Sequence, residues 1–271
     1  MGEIIACANQ KGGVGKTTTV VSLASYLALS GQRVLLIDLD PQGNATSGLG
    51  LDRSEEGLSV YGALVDGTPV TDLLRLTAIP GLSILPSNRE LAGAEVELVP
   101  MVGRERRLAA ALDAIKDEFE YLLIDCPPSL GLLTVNALTA ANSVLIPIQC
   151  EYYALEGLSQ LMATVELVRS HLNPTLHLKG VVLTMFDART TLSADVSTEV
   201  RRHLGDRVFD SVVPRSVRLA EAPSYGRPIA LYSPTSRGAQ AYADLAAELL
   251  TRDGRIAAAQ EAHDAPAWVT R

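Results

Sequence analysis

The stretch Asn9-Gln10-Lys11-Gly12-Gly13-Val14-Gly15-Lys16-Thr17-Thr18 decides how this chain is read. An apolar run, Ile4-Ile5-Ala6-Cys7, leads straight into it, and a helical pattern from Thr17 to Ser30 comes after it. Three glycines let successive backbone N–H groups turn inward around phosphate oxygens. A helix starting at the end of such a loop adds free N–H donors and the positive end of its dipole. Lys16 then brings a point charge to the terminal phosphates, and Thr17 offers a hydroxyl to Mg²⁺. Strand, loop and helix in that order predict a nucleotide site over Lys11, Gly12, Gly13, Val14, Gly15, Lys16, Thr17 and Thr18. One departure is informative. The common phosphate loop has Gly five residues before Gly15; here Gln10 stands there, and a second lysine, Lys11, sits beside Gly12. Two of the chain's four lysines lie in this loop, against 19 arginines elsewhere, so the site selects ammonium groups.

Further apolar runs lie at Val34–Ile37, Leu82–Leu85, Tyr121–Ile124, Val144–Ile148 and Val181–Leu183. They are continuous rather than alternating, so both faces must be covered, as in a parallel sheet. Helical patterns lie between them at Arg104–Glu118, Leu155–His171, Ser193–Leu204 and Arg237–Leu250. Gly31 fits a helix C-terminus, and Thr235 or Ser236 fits an N-cap for the last helix. Strands alternating with helices predict an α/β fold: a doubly wound, mostly parallel sheet flanked by helices, with ligands at the carboxyl ends of the strands. The Gly-rich stretch Asp52–Pro80 is less regular and stays unassigned. Residues 1–250 read as one domain and 251–271, small and polar with one late Trp268, as a mobile extension.

The composition is ordinary for a globular chain of 271 residues, 47% hydrophobic and 20% charged. No apolar run is long enough to span a bilayer, and the start lacks a basic segment followed by an apolar one. Cys7, Cys126 and Cys150 fit neither a zinc pattern nor a disulfide framework and read as buried, reduced thiols. The net charge is −8, yet Arg169–Arg237 carries ten basic and six acidic residues. Asp125 ends the run Tyr121–Ile124, which places a carboxylate near Mg²⁺. Asp38 and Asp40 end the second run.

These strings together resemble the deviant-Walker branch of the P-loop ATPases, and within it the ParA/Soj-type partitioning ATPases. The resemblance is carried by NQKGGVGKTTT at 9–19, LLIDLDPQGNATSGLG at 35–50, ELAGAEVELVP at 90–100, LLIDCPPSLGLLTVNALTAA at 122–141, IQCEYYALEGLSQL at 148–161 and VVPRSVRLAEAPSYGRPI at 212–229. The last string separates partitioning ATPases from most relatives. The resemblance covers residues 2–250 and leaves the tail out.

The resemblance implies that ATP with Mg²⁺ is bound between two copies of the chain. It implies that Lys11 reaches the partner's nucleotide in trans, much as an arginine finger does. By the same resemblance Lys11, Lys16 and Asp40 are the catalytic set, with Asp40 positioning the attacking water. Thr17, Asp38 and Asp125 then lie on the metal side, and Met185, Pro214 and Arg215 flank the adenine. Arg189 and Arg218 match positions that bind duplex DNA non-specifically, through phosphate rather than bases. The family also implies a ParB/Spo0J-type centromere-binding protein that stimulates slow hydrolysis. The closed dimer would act on the cytoplasmic nucleoid to segregate chromosomes or plasmids.

Some relatives fit less well. The loop begins at residue 9, so a preceding helix-turn-helix domain and operator-specific binding are not expected. The tail has few bulky apolar residues, so a membrane helix of the Min type is not expected. The cysteines do not suggest the cluster of a nitrogenase iron protein. The alternatives that remain are a positioning ATPase for a flagellar, chemosensory or carboxysome cargo, and a non-hydrolysing ATP-dependent scaffold.

Overall fold

The computed structural model describes residues 2–54, 58–151 and 154–255. The chain opens with strand β1 (Glu3–Cys7), helix α1 (Lys16–Leu29), strand β2 (Val34–Asp38) and a short helix α2 (Asn44–Gly48). The unassigned stretch contains a π-turn at Gly62–Asp66, helix α3 (Val70–Leu73) and the two-residue strand β3 (Arg75–Leu76). Next come β4 (Leu82–Leu85), α4 (Leu91–Glu97), α5 (Arg107–Leu112), β5 (Tyr121–Asp125), α6 (Leu132–Ala140) and β6 (Ser143–Gln149). The chain continues with α7 (Ala154–His171), β7 (His177–Phe186), α8 (Thr191–Leu204), β8 (Val208–Pro214), α9 (Val217–Glu221), α10 (Ile229–Tyr232) and α11 (Arg237–Arg252).

The strands form one sheet in the order β3-β4-β2-β5-β1-β6-β7-β8. All neighbours run parallel except β3 against β4. The expected fold class is the observed one. Side chains along each strand alternate between two apolar cores. Ile4 and Ala6 enter the core under α4 to α8, while Ile5 and Cys7 enter the core under α1 and α11. That is why the runs are apolar without a break. β1 lies between β5 and β6. The chain fills one side of β1 and then the other, so its carboxyl end opens onto the crevice where such sheets bind ligands.

Helices α2, α4, α6, α9 and α10 are absent from the expected helical patterns, and three further details depart from the sequence reading. Strand β8 is not among the expected runs, because Asp210 and Ser211 interrupt its apolar pattern; it is an edge strand, and the Asp210 side chain is 94% exposed. The helix expected over Arg104–Glu118 is a 3₁₀ turn followed by α5, which ends at Leu112. Beyond it the chain turns and lays the carbonyls of Lys116 and Phe119 against Gly2, where a Cβ would collide with both. The last helix reaches Arg252, two residues past the expected boundary. Residues 256–271 of the expected extension lie outside the described residues.

Other local expectations hold. Gly31 has a φ of +90° just past α1, and the Ser236 hydroxyl caps α11 by accepting the Ala239 N–H. All three cysteines are free and buried, and burial raises each thiol's pKa. At the amino ends of the strands, the partly buried Lys179 sits between Glu3 (2.8 Å) and Asp253, and Asp253 accepts the Tyr121 hydroxyl at 2.7 Å. This cluster ties the end of α11 to the amino ends of the strands, opposite the phosphate loop.

Candidate functional site

The phosphate loop is clamped from two neighbouring strands. Asn9 donates its amide to the Pro147 carbonyl (2.7 Å) and accepts the Lys11 N–H (3.0 Å). The Thr184 hydroxyl, on β7, donates to the Val14 carbonyl at 2.8 Å. Gly13 and Gly15 take φ of +75° and +88°, the left-handed region that glycine enters freely. Lys16 is buried, and its ammonium donates to the Lys11 carbonyl at 3.2 Å, so the loop closes on itself. The half-exposed Lys11 ammonium meets Glu151 at 2.9 Å, and Gln149 donates to the other oxygen of Glu151.

Three carboxylates gather beside this loop. Strand register sets Asp125 opposite Cys7 on one side and Asp38 on the other. Asp38 is fully buried and accepts both the Thr46 N–H and the Thr46 hydroxyl at 2.7 Å, with the Asp40 N–H at 3.3 Å. Burial pushes its acid up to about 6, against the pull of those hydrogen bonds. Asp38 thus braces α2 to the sheet; both of its oxygens, expected on the metal side, are already engaged. Asp125 differs. Both of its oxygens are buried and have no hydrogen-bond partner among the described residues. Its acid is raised well above the carboxylate range, first by burial and then by the Asp38 charge. The Thr17 hydroxyl opposes that rise while falling short of a hydrogen bond. Asp40 is nearly buried; one oxygen accepts the Gln42 N–H at 2.9 Å, and its carbonyl accepts the Ser87 hydroxyl.

A partnerless buried carboxylate next to a threonine hydroxyl suits a hard dication. Among the described residues no group of three acidic, histidine or cysteine side chains could hold a metal unaided. The fit is therefore to an ion that takes its remaining ligands from phosphate and water.

On the far side of the loop, Thr18, Thr184, Met185, Pro214 and Arg215 line a cavity of about 360 Å³. The three residues expected around a base are thus brought together. Met185 has a φ of +51°, and no other described non-glycine residue has a positive value. Strain of this kind persists only where neighbours fix it. Here the Arg215 N–H donates to the Phe186 carbonyl at 3.0 Å and locks the two strand ends together.

Residues 2–178 match the AAA domain family. The chain is 59% identical over 249 residues to the sporulation initiation inhibitor protein Soj of Bacillus subtilis, covering 92% of this chain and 98% of that protein. It is 52% identical over 253 residues to the chromosome partitioning protein ParA of Caulobacter vibrioides, covering 93% and 95%. The chain belongs to the ParA/Soj partitioning ATPases. A solved structure named cobyrinic acid a,c-diamide synthase, from Mycobacterium smegmatis with a bound ATP analog and magnesium, superposes with a TM-score of 0.83. It is 40% identical and covers 94% of this chain and 96% of that one.

Arginines from separate segments come together in space. Arg189 and Arg218, far apart in sequence, line one cavity of about 690 Å³ together with Arg215 and Arg237. Pro214, Arg215, Ser216 and Val217 also line the base cavity, so one wall serves both. Several residues that shape the site are not singled out by their motifs. Thr184 lies outside the ParA/Soj strings, and Thr46 and Glu151 lie within them; all three act through folded contacts that no local pattern announces. Arg237 is visible in the sequence only as one charge in the basic segment. Tyr152 and Tyr153, within the ParA/Soj string at 148–161, lie outside the described residues.

Proposed function

We propose that this chain is an ATP-dependent dimerising switch. It binds duplex DNA through phosphates and hydrolyses ATP slowly until a ParB-type partner stimulates it, segregating chromosomes or plasmids on the cytoplasmic nucleoid. The observation that carries this reading is the wall Pro214–Val217, shared by the base cavity and the arginine cavity. A base seated on one side bears on the residues that face phosphates on the other.

Each residue then has a task. Lys16 exchanges the Lys11 carbonyl for nucleotide phosphate. Thr17 and Asp125 would hold Mg²⁺, with Asp38 bracing α2 beside them. When bound, the ion would neutralise phosphate charge. Gly12, Gly13, Val14, Gly15 and Thr18 supply backbone donors along the phosphates. Met185, Pro214 and Arg215 enclose the base. Asp40 keeps one oxygen free to orient water. Lys11 leaves Glu151 and reaches the nucleotide of a second copy. Two copies side by side double the arginine cavities, so a net charge of −8 per chain does not prevent binding. Among the described residues no helix is long and apolar enough to cross a membrane.

The test is binding to random-sequence duplex DNA at two salt concentrations, without nucleotide, with ADP and with ATP. Binding only with ATP, weakened by salt and by Arg189→Ala and Arg218→Ala, is expected. Each lost phosphate contact should reduce the salt slope by about 0.9. Absence of ATP-dependent DNA binding would leave an ATPase that positions a cargo on another surface.

A further inference from the structure

The arginine cavity holds its four guanidinium groups in two different states. Arg189 forks onto Asp187, with Nε donating to Oδ1 at 2.9 Å and Nη2 donating to Oδ2 at 2.7 Å. Arg218 donates to Glu221 at 3.0 Å, and the Tyr232 hydroxyl donates to the same Glu221 oxygen at 3.1 Å. Arg215 and Arg237 line the same cavity and have no ion pair among the described residues. The two carboxylates are held in place. Asp187 accepts the N–H of Arg189 at 3.0 Å and its own N–H donates to the Ser193 hydroxyl, so the carboxylate stays fixed when the guanidinium moves. The Arg189 guanidinium keeps the Asp187 acid well below its usual range.

A forked arginine–carboxylate pair uses the same donors that a forked arginine–phosphate pair uses. Taking up a DNA phosphate therefore breaks one charge-assisted pair for each one it makes. The abandoned carboxylate then faces the incoming phosphate with the same sign of charge. We propose that Asp187 and Glu221 are internal competitors for the DNA phosphates, which hold down the affinity of each copy until several contacts form at once. This rests on the reading that Arg189 and Arg218 contact DNA. The opposite role, in which the carboxylates hold the arginines ready for DNA, predicts the opposite sign when they are neutralised.

The experiment uses the full chain with ATP and Mg²⁺ and a fluorescein-labelled duplex of random sequence, read by anisotropy. Asp187→Asn keeps the oxygen that accepts the Arg189 N–H, and Glu221→Gln keeps the length of the side chain. Each should tighten binding about two- to five-fold, the scale of an exposed ion pair. Each is repeated on its arginine's alanine background, Asp187→Asn with Arg189→Ala and Glu221→Gln with Arg218→Ala. If the carboxylates compete, the gain disappears there, because nothing is left to release. Unchanged or weaker binding in the single variants overturns the proposal. So does an equal gain on the alanine background, which would mark a general charge effect. If Arg189→Ala and Arg218→Ala bind DNA as the native chain does, the DNA reading itself falls, and that result is distinct from the other two. Matching melting temperatures for native and variant chains confirm that folding is not what the anisotropy reads.

Discussion

The buried carboxylates beside the phosphate loop should make the nucleotide-free chain more stable in mild acid than at neutral pH. Asp38 is pushed up to about 6 from 3.8. The folded chain therefore holds a proton on Asp38 that the unfolded chain has released, and stability falls as pH rises through that window. The loss is on the order of a few kcal/mol and is complete above a pH of about 7. Asp125, raised by burial and by the Asp38 charge, acts in the same direction. Carboxylates held low by partners, such as Glu120 and Asp187, act the other way. Their contribution is lost only as pH falls below about 4, so they stay silent in this window. The assay is urea or thermal unfolding of the nucleotide-free, metal-free chain. Melting should come several degrees higher near pH 5, and Asp38→Asn or Asp125→Asn should flatten the slope whatever its offset. Adding Mg²⁺ and ATP should reverse the slope, since a metal takes the ionised carboxylate. A native midpoint that is flat or rises toward pH 7.5 without ligand would refute the reasoning.

Three further outcomes are expected. Lys179→Met leaves the partly buried Glu3 and Asp253 carboxylates without their shared cation and should cost about 1–3 kcal/mol in denaturant unfolding. Thr184→Val leaves the Val14 carbonyl without its donor and should weaken nucleotide binding by about 1–3 kcal/mol, read by titration with a fluorescent ATP analogue. Gly226→Ala forces a left-handed residue (φ +60°) whose Cβ falls 3.0 Å from the Gly50 Cα; it should lower stability by about 1–3 kcal/mol, read as a loss of urea midpoint.

The central strands can be read from sequence because each is apolar on both faces and short. β8 cannot, since one side of an edge strand tolerates Asp210. Helix α6 is hidden for the opposite reason: LLTVNALTA is apolar nearly all round, so no helical period stands out from the neighbouring strand runs. α2 is only five residues long and is fixed by Asp38 rather than by its own propensity. The loop and the acids at strand ends are legible because their chemistry depends on local order. What the sequence hides is the engagement of those groups: Lys11 on Glu151, Lys16 on the Lys11 carbonyl, and Asp38 on Thr46. Each joins groups whose proximity only the folded chain creates.

The Lys179 cluster has a practical corollary. It pins Asp253 to the first residues of β1 and β5, at the end of the sheet away from the loop. A five-residue strand is about 16 Å long. Arg255, whose guanidinium lies 4.5 Å over the Tyr121 ring, is therefore separated from the phosphate loop by roughly that strand length. A fluorophore or affinity handle attached at Arg255 itself sits at the end of the sheet away from the loop.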